Sequence, residues 1–148
     1  MRIAVAADEL VGVAEAVVDE LRTRGHEPLL HGALEPGGRA DWAWASEAAA
    51  RSVADGVADQ AIVCCWTGTG ASIAANKVTG VRAALAWNLT TAQLGRQHND
   101  ANVVAIGARQ HSVDEALELV DAFVAEPFSH DPRHQRRIDL LAAYEAAR

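Results

Sequence analysis

Short apolar runs alternate along this chain with segments whose apolar residues recur every three or four positions, and that alternation predicts a series of βα units. The runs near Arg2–Ala7, His26–Leu30, Gln60–Cys65, Arg82–Trp87 and Val103–Ile106 are apolar almost throughout. Such continuity marks strands covered on both faces of a parallel sheet. Helices are expected near Val11–Arg24, Trp42–Asp55, Gly70–Val78, Thr90–Gln97 and Ser112–Ala125. In the first, Ala14, Val17, Val18 and Leu21 make one buried face, and Gly25 supplies the C-cap. Pro127 ends the fifth helix, and Asp131-Pro132 reads as the N-cap and N1 pair of a terminal helix of roughly fifteen residues.

Five βα units in succession predict an α/β, three-layer, doubly wound fold with a five-stranded parallel sheet and a C-terminal helix. No repeat, low-complexity tract or linker divides residues 1–148, so a single domain is expected. Ligands in such a sheet sit beyond the C-terminal strand ends. Asp8-Glu9, the stretch from Cys65 to Gly70, and Trp87-Asn88 all fall there.

Composition narrows the classes. Half of the 148 residues are hydrophobic and 22% are charged, an ordinary globular balance. A net charge of −7 argues against nucleic acid as a partner, because phosphate backbones need a basic face. A local arginine cluster can still hold a small anion. No apolar stretch nears the ~20 residues that span a bilayer, so no membrane partner is expected. The first residues enter a strand pattern with no signal-peptide architecture. Two adjacent cysteines make no disulfide framework, and the cytoplasm is the expected compartment.

The run Cys64-Cys65-Trp66-Thr67-Gly68-Thr69-Gly70 carries the chemistry of most interest. It places a thiol where a strand breaks into a Gly/Thr loop that opens a helix. Backbone N–H groups there can receive negative charge and stabilise an oxyanion. Neighbouring strand residues face opposite sides, so one cysteine enters the core and the other faces the loop; both as core fillers is the bland alternative. The loop has neither dinucleotide-fingerprint spacing nor Walker spacing to Lys77. His98, in Gln97-His98-Asn99-Asp100-Ala101-Asn102, is either a solvated last-turn residue or an acid/base. Arg133 and Arg137 share one helix face and can converge on one anion, although most such runs are solvated. Asp8 and Glu9 are a helix start or a pair of substrate-facing carboxylates. Trp42, Trp44 and Trp66 are pocket walls or core aromatics.

Together these segments resemble the ribose-5-phosphate isomerase B family, which includes the galactose-6-phosphate isomerase subunits. The likeness runs nearly the whole chain, in order. It rests on Thr67-Gly68-Thr69-Gly70, Ser72-Ile73-Ala74-Ala75-Asn76-Lys77, His98 to Val103, Gly107-Ala108-Arg109 and Arg133-His134-Gln135-Arg136-Arg137. The resemblance implies a Rossmann-like sheet and aldose–ketose isomerisation of a small phosphorylated sugar, with no metal and no cofactor. It also implies a homodimer with active sites at the subunit interface; whether dimers pair into tetramers stays open. By position, Cys65 matches the base that moves a proton between C2 and C1 through an enediolate. The amides from Trp66 to Gly70, Gly68 and Thr69 included, match the cradle for its oxygens, and Thr67 matches a residue assisting proton transfer. His98, with Asp8 and Asn99, matches the ring-opening group. Arg109, Arg133, His134 and Arg137 match the phosphate-binding side. Some members carry a glutamate base one position after the last loop glycine; here that position is Ala71.

Three positions depart from the family pattern. Glu9 stands where a phosphate-holding histidine is usual, Trp66 where a glycine follows the cysteine, and Trp42 where a tyrosine is common. A carboxylate beside a phosphate costs more than about 1 kcal/mol unless it is protonated or paired. The bulkier, differently charged pocket points either to a sugar other than ribose 5-phosphate, a tetrose or a hexose phosphate among them, or to a phosphate that lies differently. A sugar-phosphate sensor that kept the fold and lost the reaction is the competing class.

Overall fold

The computed structural model describes residues 1–10 and 12–148, so the expected helix start at Val11 lies outside the described residues. Five strands form one sheet: β1 (Arg2–Ala7), β2 (Glu27–Gly32), β3 (Gln60–Cys65), β4 (Ala83–Leu85) and β5 (Val103–Gly107). Their order is β2-β1-β3-β5-β4, and every neighbouring pair is parallel. The helices among the described residues are α1 (Gly12–Thr23), α2 (Trp42–Ala54), α3 (Thr69–Ala75), α4 (Leu89–Asn99), α5 (Val113–Ala125) and the C-terminal α6 (Pro132–Ala146). The α/β class, the five-stranded parallel sheet and the C-terminal helix agree with the pattern of apolar runs.

Side-chain alternation along the strands builds the three layers. Ile3, Val5, Ile62, Cys64, Val104 and Ile106 face α1 and α5, with Ala92 of α4 joining them. Ala4, Ala6, Val63, Cys65 and Ala105 face the alanines of α2 and α3. Small residues there let those helices lie close to the sheet. Each fully buried Val, Leu, Ile or Phe contributes about 1.5–3 kcal/mol, so the layer holding Phe123, Leu21 and Ile3 supplies more of the apolar burial.

The expected Arg82–Trp87 strand shortens to β4, Ala83–Leu85. Asn76 donates from Nδ2 to the Ala83 carbonyl (2.9 Å) and accepts from the Ala83 amide at Oδ1 (2.9 Å). A side-chain amide thus closes the outer edge of β4, where unpaired groups would otherwise invite another strand. On the β5 side, Asn102 holds the chain just before β4, accepting from the Arg82 amide at 2.8 Å and donating to the Gly80 carbonyl at 2.9 Å. Helix α3 stops at Ala75 instead of Val78, with Asn76 as its C-cap.

Strand order fixes where a ligand can sit. From β1 the chain moves out to β2, whereas β3 lies on the other flank of β1. The crevice at the C-terminal ends of β1 and β3 is therefore the topological switch point.

Candidate active site

The chain leaves β3 at Cys65 and turns at Gly68, whose φ of +78° is unfavourable for any side chain. A Cβ at Gly68 would stand 2.7 Å from Leu85 Cδ1 and 2.9 Å from the Ile106 carbonyl carbon. One at Gly107 would stand 3.0 Å from the Thr67 carbonyl carbon. Two glycines thus let the loop lie directly against the end of β5. That approach aims the Gly68 N–H at Cys65 Sγ, 3.2 Å away, while the Thr69 amide donates to Thr67 Oγ1 at 3.3 Å. Cys65 is only 5% exposed and shares the α2/α3 layer with Val63, Ala71 and Ala105. It meets the loop, as expected, but within one chain it is not an open thiol. Cys64 enters the opposite layer, where burial pushes its thiol up to about 12 and keeps it protonated. Ala71 is fully buried, so that position offers a core methyl and no base.

Trp42 and Trp66 flank this loop. The Trp42 ring lies against Gly70, where a Cβ would come within 3.0 Å of its Cε3 atom. Trp44 does not join them; its ring stacks under the Arg39 guanidinium at 3.8 Å.

Across the switch point, Glu9 follows β1, Trp66 follows β3 and Arg109 follows β5. Trp66 Nε1 donates to Glu9 Oε1 at 2.8 Å, and Arg109 Nη2 donates to Glu9 Oε2 at 2.7 Å. Arg109 Cζ lies 4.2 Å from the Trp66 ring centroid, closing the triangle with a cation–π contact. The Arg109 and Trp66 hydrogen bonds hold the Glu9 carboxyl below the usual range. Of the two ways to relieve a carboxylate beside a phosphate, protonation or pairing, Glu9 has the second. Arg109 accordingly faces a carboxylate of its own chain. Asp8, half-buried beside Glu9, goes the other way: burial raises its pKa.

The remaining site residues gather at the opposite end of the strands. Helix α4 runs back from β4 to the start of β5, so its last turn, with His98 and Asn99 exposed, lies by the N-terminal strand ends. Asp100 caps that turn at φ +42°. Arg82 reaches its Oδ2 at 3.1 Å, and Arg96 reaches its Oδ1 at 2.8 Å. The His98 ring lies 4.3 Å from that of His134, near the start of α6. His134 is buried, with Nδ1 2.9 Å from Ser129 Oγ, while Arg133 and Arg137 are exposed. From Ala61 to Cys65 the strand rises about 13 Å, at ~3.3 Å per residue, so His98 and Asp8 of one chain stand at different ends of the sheet. The structure thus brings Asp8, Glu9, Cys65, Trp66, Thr67, Gly68, Thr69, Gly70 and Arg109 together. It sets His98, Asn99, Arg133, His134 and Arg137 apart as a second group.

The family model described as Ribose/Galactose Isomerase matches residues 3–141. This chain belongs to that family. It is 47% identical over 147 residues to ribose-5-phosphate isomerase B of Mycobacterium tuberculosis, covering 98% of this chain and 90% of the relative. The enzyme of the same name in Escherichia coli K12 is 39% identical over 132 residues, covering 89% and 87%. Among solved structures, Clostridium thermocellum ribose-5-phosphate isomerase B superposes with a TM-score of 0.91 at 34% identity, covering 99% of both chains. The Mycoplasma genitalium enzyme, solved with ribulose 5-phosphate bound, gives a TM-score of 0.87 at 33% identity over 99% of this chain and 96% of that one. Family membership carries the enzyme class, aldose–ketose isomerase. No helix among the described residues is long and apolar enough to cross a membrane.

Three features of this family member escaped the sequence pattern. The Glu9–Trp66–Arg109 triangle needs the strand order β1-β3-β5, which apolar runs do not encode. The Asn76 and Asn102 clamps look like functional polar residues until their backbone partners are known. The His98–His134 stack joins residues of two helices far apart in the chain.

Proposed function

We propose that this chain isomerises a small phosphorylated sugar between aldose and ketose through an enediolate, with Cys65 as the base and no cofactor. His98 first opens the sugar ring. The Cys65 thiolate then takes the proton from C2 and returns it to C1, while Thr67 helps the second proton pass between O1 and O2; no atom is gained or lost. The loop amides from Trp66 to Gly70 hold the enediolate oxygens. The observation that carries this reading is the Gly68 N–H aimed at Cys65 Sγ at 3.2 Å, since an amide donor on sulfur is the contact a thiolate accepts. The names of the relatives, and the ribulose 5-phosphate bound in one of them, support a sugar phosphate as substrate.

The same reading makes residues 1–148 a single domain that works as a homodimer. One copy contributes Asp8, Cys65 and the loop; the other contributes His98, Asn99, Arg133, His134 and Arg137, the last group gripping phosphate. The separation of these groups across the sheet supports it. So does α6, which buries only His134 and leaves Leu140, Leu141 and Tyr144 exposed for a second copy to cover.

Replacing Cys65 with Ala is expected to abolish turnover on a panel of tetrose, pentose and hexose phosphates. Calorimetry should still register ligand binding. An active Cys65→Ala enzyme would remove Cys65 from its role. Binding by the wild type without interconversion would favour a sensor.

A further inference from the structure

Glu9, Trp66 and Arg109 lie at the C-terminal ends of β1, β3 and β5, three adjacent strands with the thiol on the middle one. Each side chain of the trio touches the other two: the two hydrogen bonds to Glu9 are 2.8 and 2.7 Å, and the guanidinium lies over the indole at 4.2 Å. The backbone ties them as well, because the Arg109 amide donates to the Trp66 carbonyl at 3.2 Å and the Ala108 amide to the Cys65 carbonyl at 2.8 Å. An indole 54% exposed to solvent is thereby fixed at the C-terminal end of β3, on the residue that follows Cys65.

Two physical consequences follow. The Glu9 charge cancels that of Arg109, and a phosphate dianion approaching the guanidinium would also meet the carboxylate. The indole, meanwhile, fills space at the C-terminal strand ends, where ligands of such a sheet sit. On α6, by contrast, Arg137 has no ion pair among the described residues, and Arg133 has only a loose one with Asp131 at 3.6 Å. An anion is better received there than at Arg109.

We infer that the Glu9–Trp66–Arg109 cluster is a specificity element: a charge-neutral wall that takes Arg109 out of phosphate binding and fits the site to a four-carbon sugar phosphate. This rests on the isomerase reading above. A substrate with one carbon fewer between the reacting centre and the phosphate suits a site narrowed at the C-terminal end of β3 and left cationic only on the α6 side.

The test is the ratio of kcat/KM for erythrose 4-phosphate to that for ribose 5-phosphate, in the wild type and in Trp66→Gly, Glu9→Gln and Trp66→Phe. Wild type should favour the tetrose by about tenfold or more, the scale on which fitted pockets discriminate one carbon. Trp66→Gly should shift the ratio at least tenfold toward the pentose. Glu9→Gln should shift it too, through KM, and should tighten competitive inhibition by inorganic phosphate as Arg109 is released. Trp66→Phe keeps an aromatic surface under Arg109 but loses the indole N–H that donates to Glu9. It should shift the ratio toward the pentose by less than Trp66→Gly does. A wild type that prefers ribose 5-phosphate or a hexose phosphate would overturn the inference and leave the isomerase reading intact. So would folded variants with an unchanged ratio and unchanged phosphate inhibition. Activity on none of the sugars would instead defeat the isomerase reading, and this inference with it.

Discussion

Asp8 and Glu9 are chain neighbours with opposite protonation energetics. Burial makes the folded state hold the Asp8 proton more tightly than the unfolded chain does, so the ionised carboxylate costs stability at neutral pH. That cost vanishes as pH falls below the ordinary aspartate value of 3.8. Glu9 has the reverse sign. Its carboxylate is stabilised by Arg109 and Trp66 above the ordinary glutamate value of 4.5, and the benefit is lost as pH falls through its lowered folded value. Asp8→Asn is therefore expected to raise the Tm at pH 7, with the gain shrinking toward pH 3. The same variant should slow turnover by roughly 10²-fold or more if Asp8 assists ring opening, the lower range for acid–base groups. Thermal unfolding across pH and steady-state kinetics read the two effects separately. A Tm at pH 7 that falls on substitution would mean that Asp8 is held by contacts stronger than its burial cost.

At the level of elements, the strands and helices were legible because both faces of this sheet are covered. β1 and β3 appear as unbroken apolar runs, and their observed limits match the expected ones. β4 was legible as a strand but is shorter at both ends than its apolar run, and apolar patterning carries no record of the Asn76 side chain that pairs with its edge. The loop after β3 was legible as a glycine turn beside a thiol. Its closeness to β5 was not, because that depends on which strand lies next door. This loop yields a sharp expectation for Gly68→Ala. The new methyl meets backbone at Ile106 and Gly107 and must sit at φ +78°. The strained conformation alone costs about 1–3 kcal/mol. Relief of the clash would also turn the Gly68 N–H away from Cys65. A lower Tm is expected together with a fall in kcat of roughly 10²-fold, the scale of one lost oxyanion-type donor. A Gly68→Ala enzyme with a normal kcat would show that the amide–thiol contact is dispensable.

Across the whole molecule, the placement of charge and of site residues argues for assembly. The net charge is −7, yet Arg133, Arg136 and Arg137 crowd the first turns of α6, where the helix dipole disfavours cations. A substrate phosphate bound there would offset that conflict, but its reacting carbons must then reach a thiol. The thiol of the same chain lies at the opposite, C-terminal end of the strands. A second copy related by a two-fold axis can bring its own Cys65 loop to these arginines, and symmetry repeats the site. Mixed dimers test this directly. Cys65→Ala and His98→Asn proteins should each be inactive or severely slowed when alone. If subunits exchange at random from an equal mixture, half of the dimers are mixed and each holds one site with both groups intact, so about one quarter of the sites recover. Activity per chain, followed after unfolding and refolding the two variants together, measures that fraction. If His98 and Cys65 served the same site from within one chain, every site in the mixture would lack one of them. The refolded sample would then stay as slow as its parents.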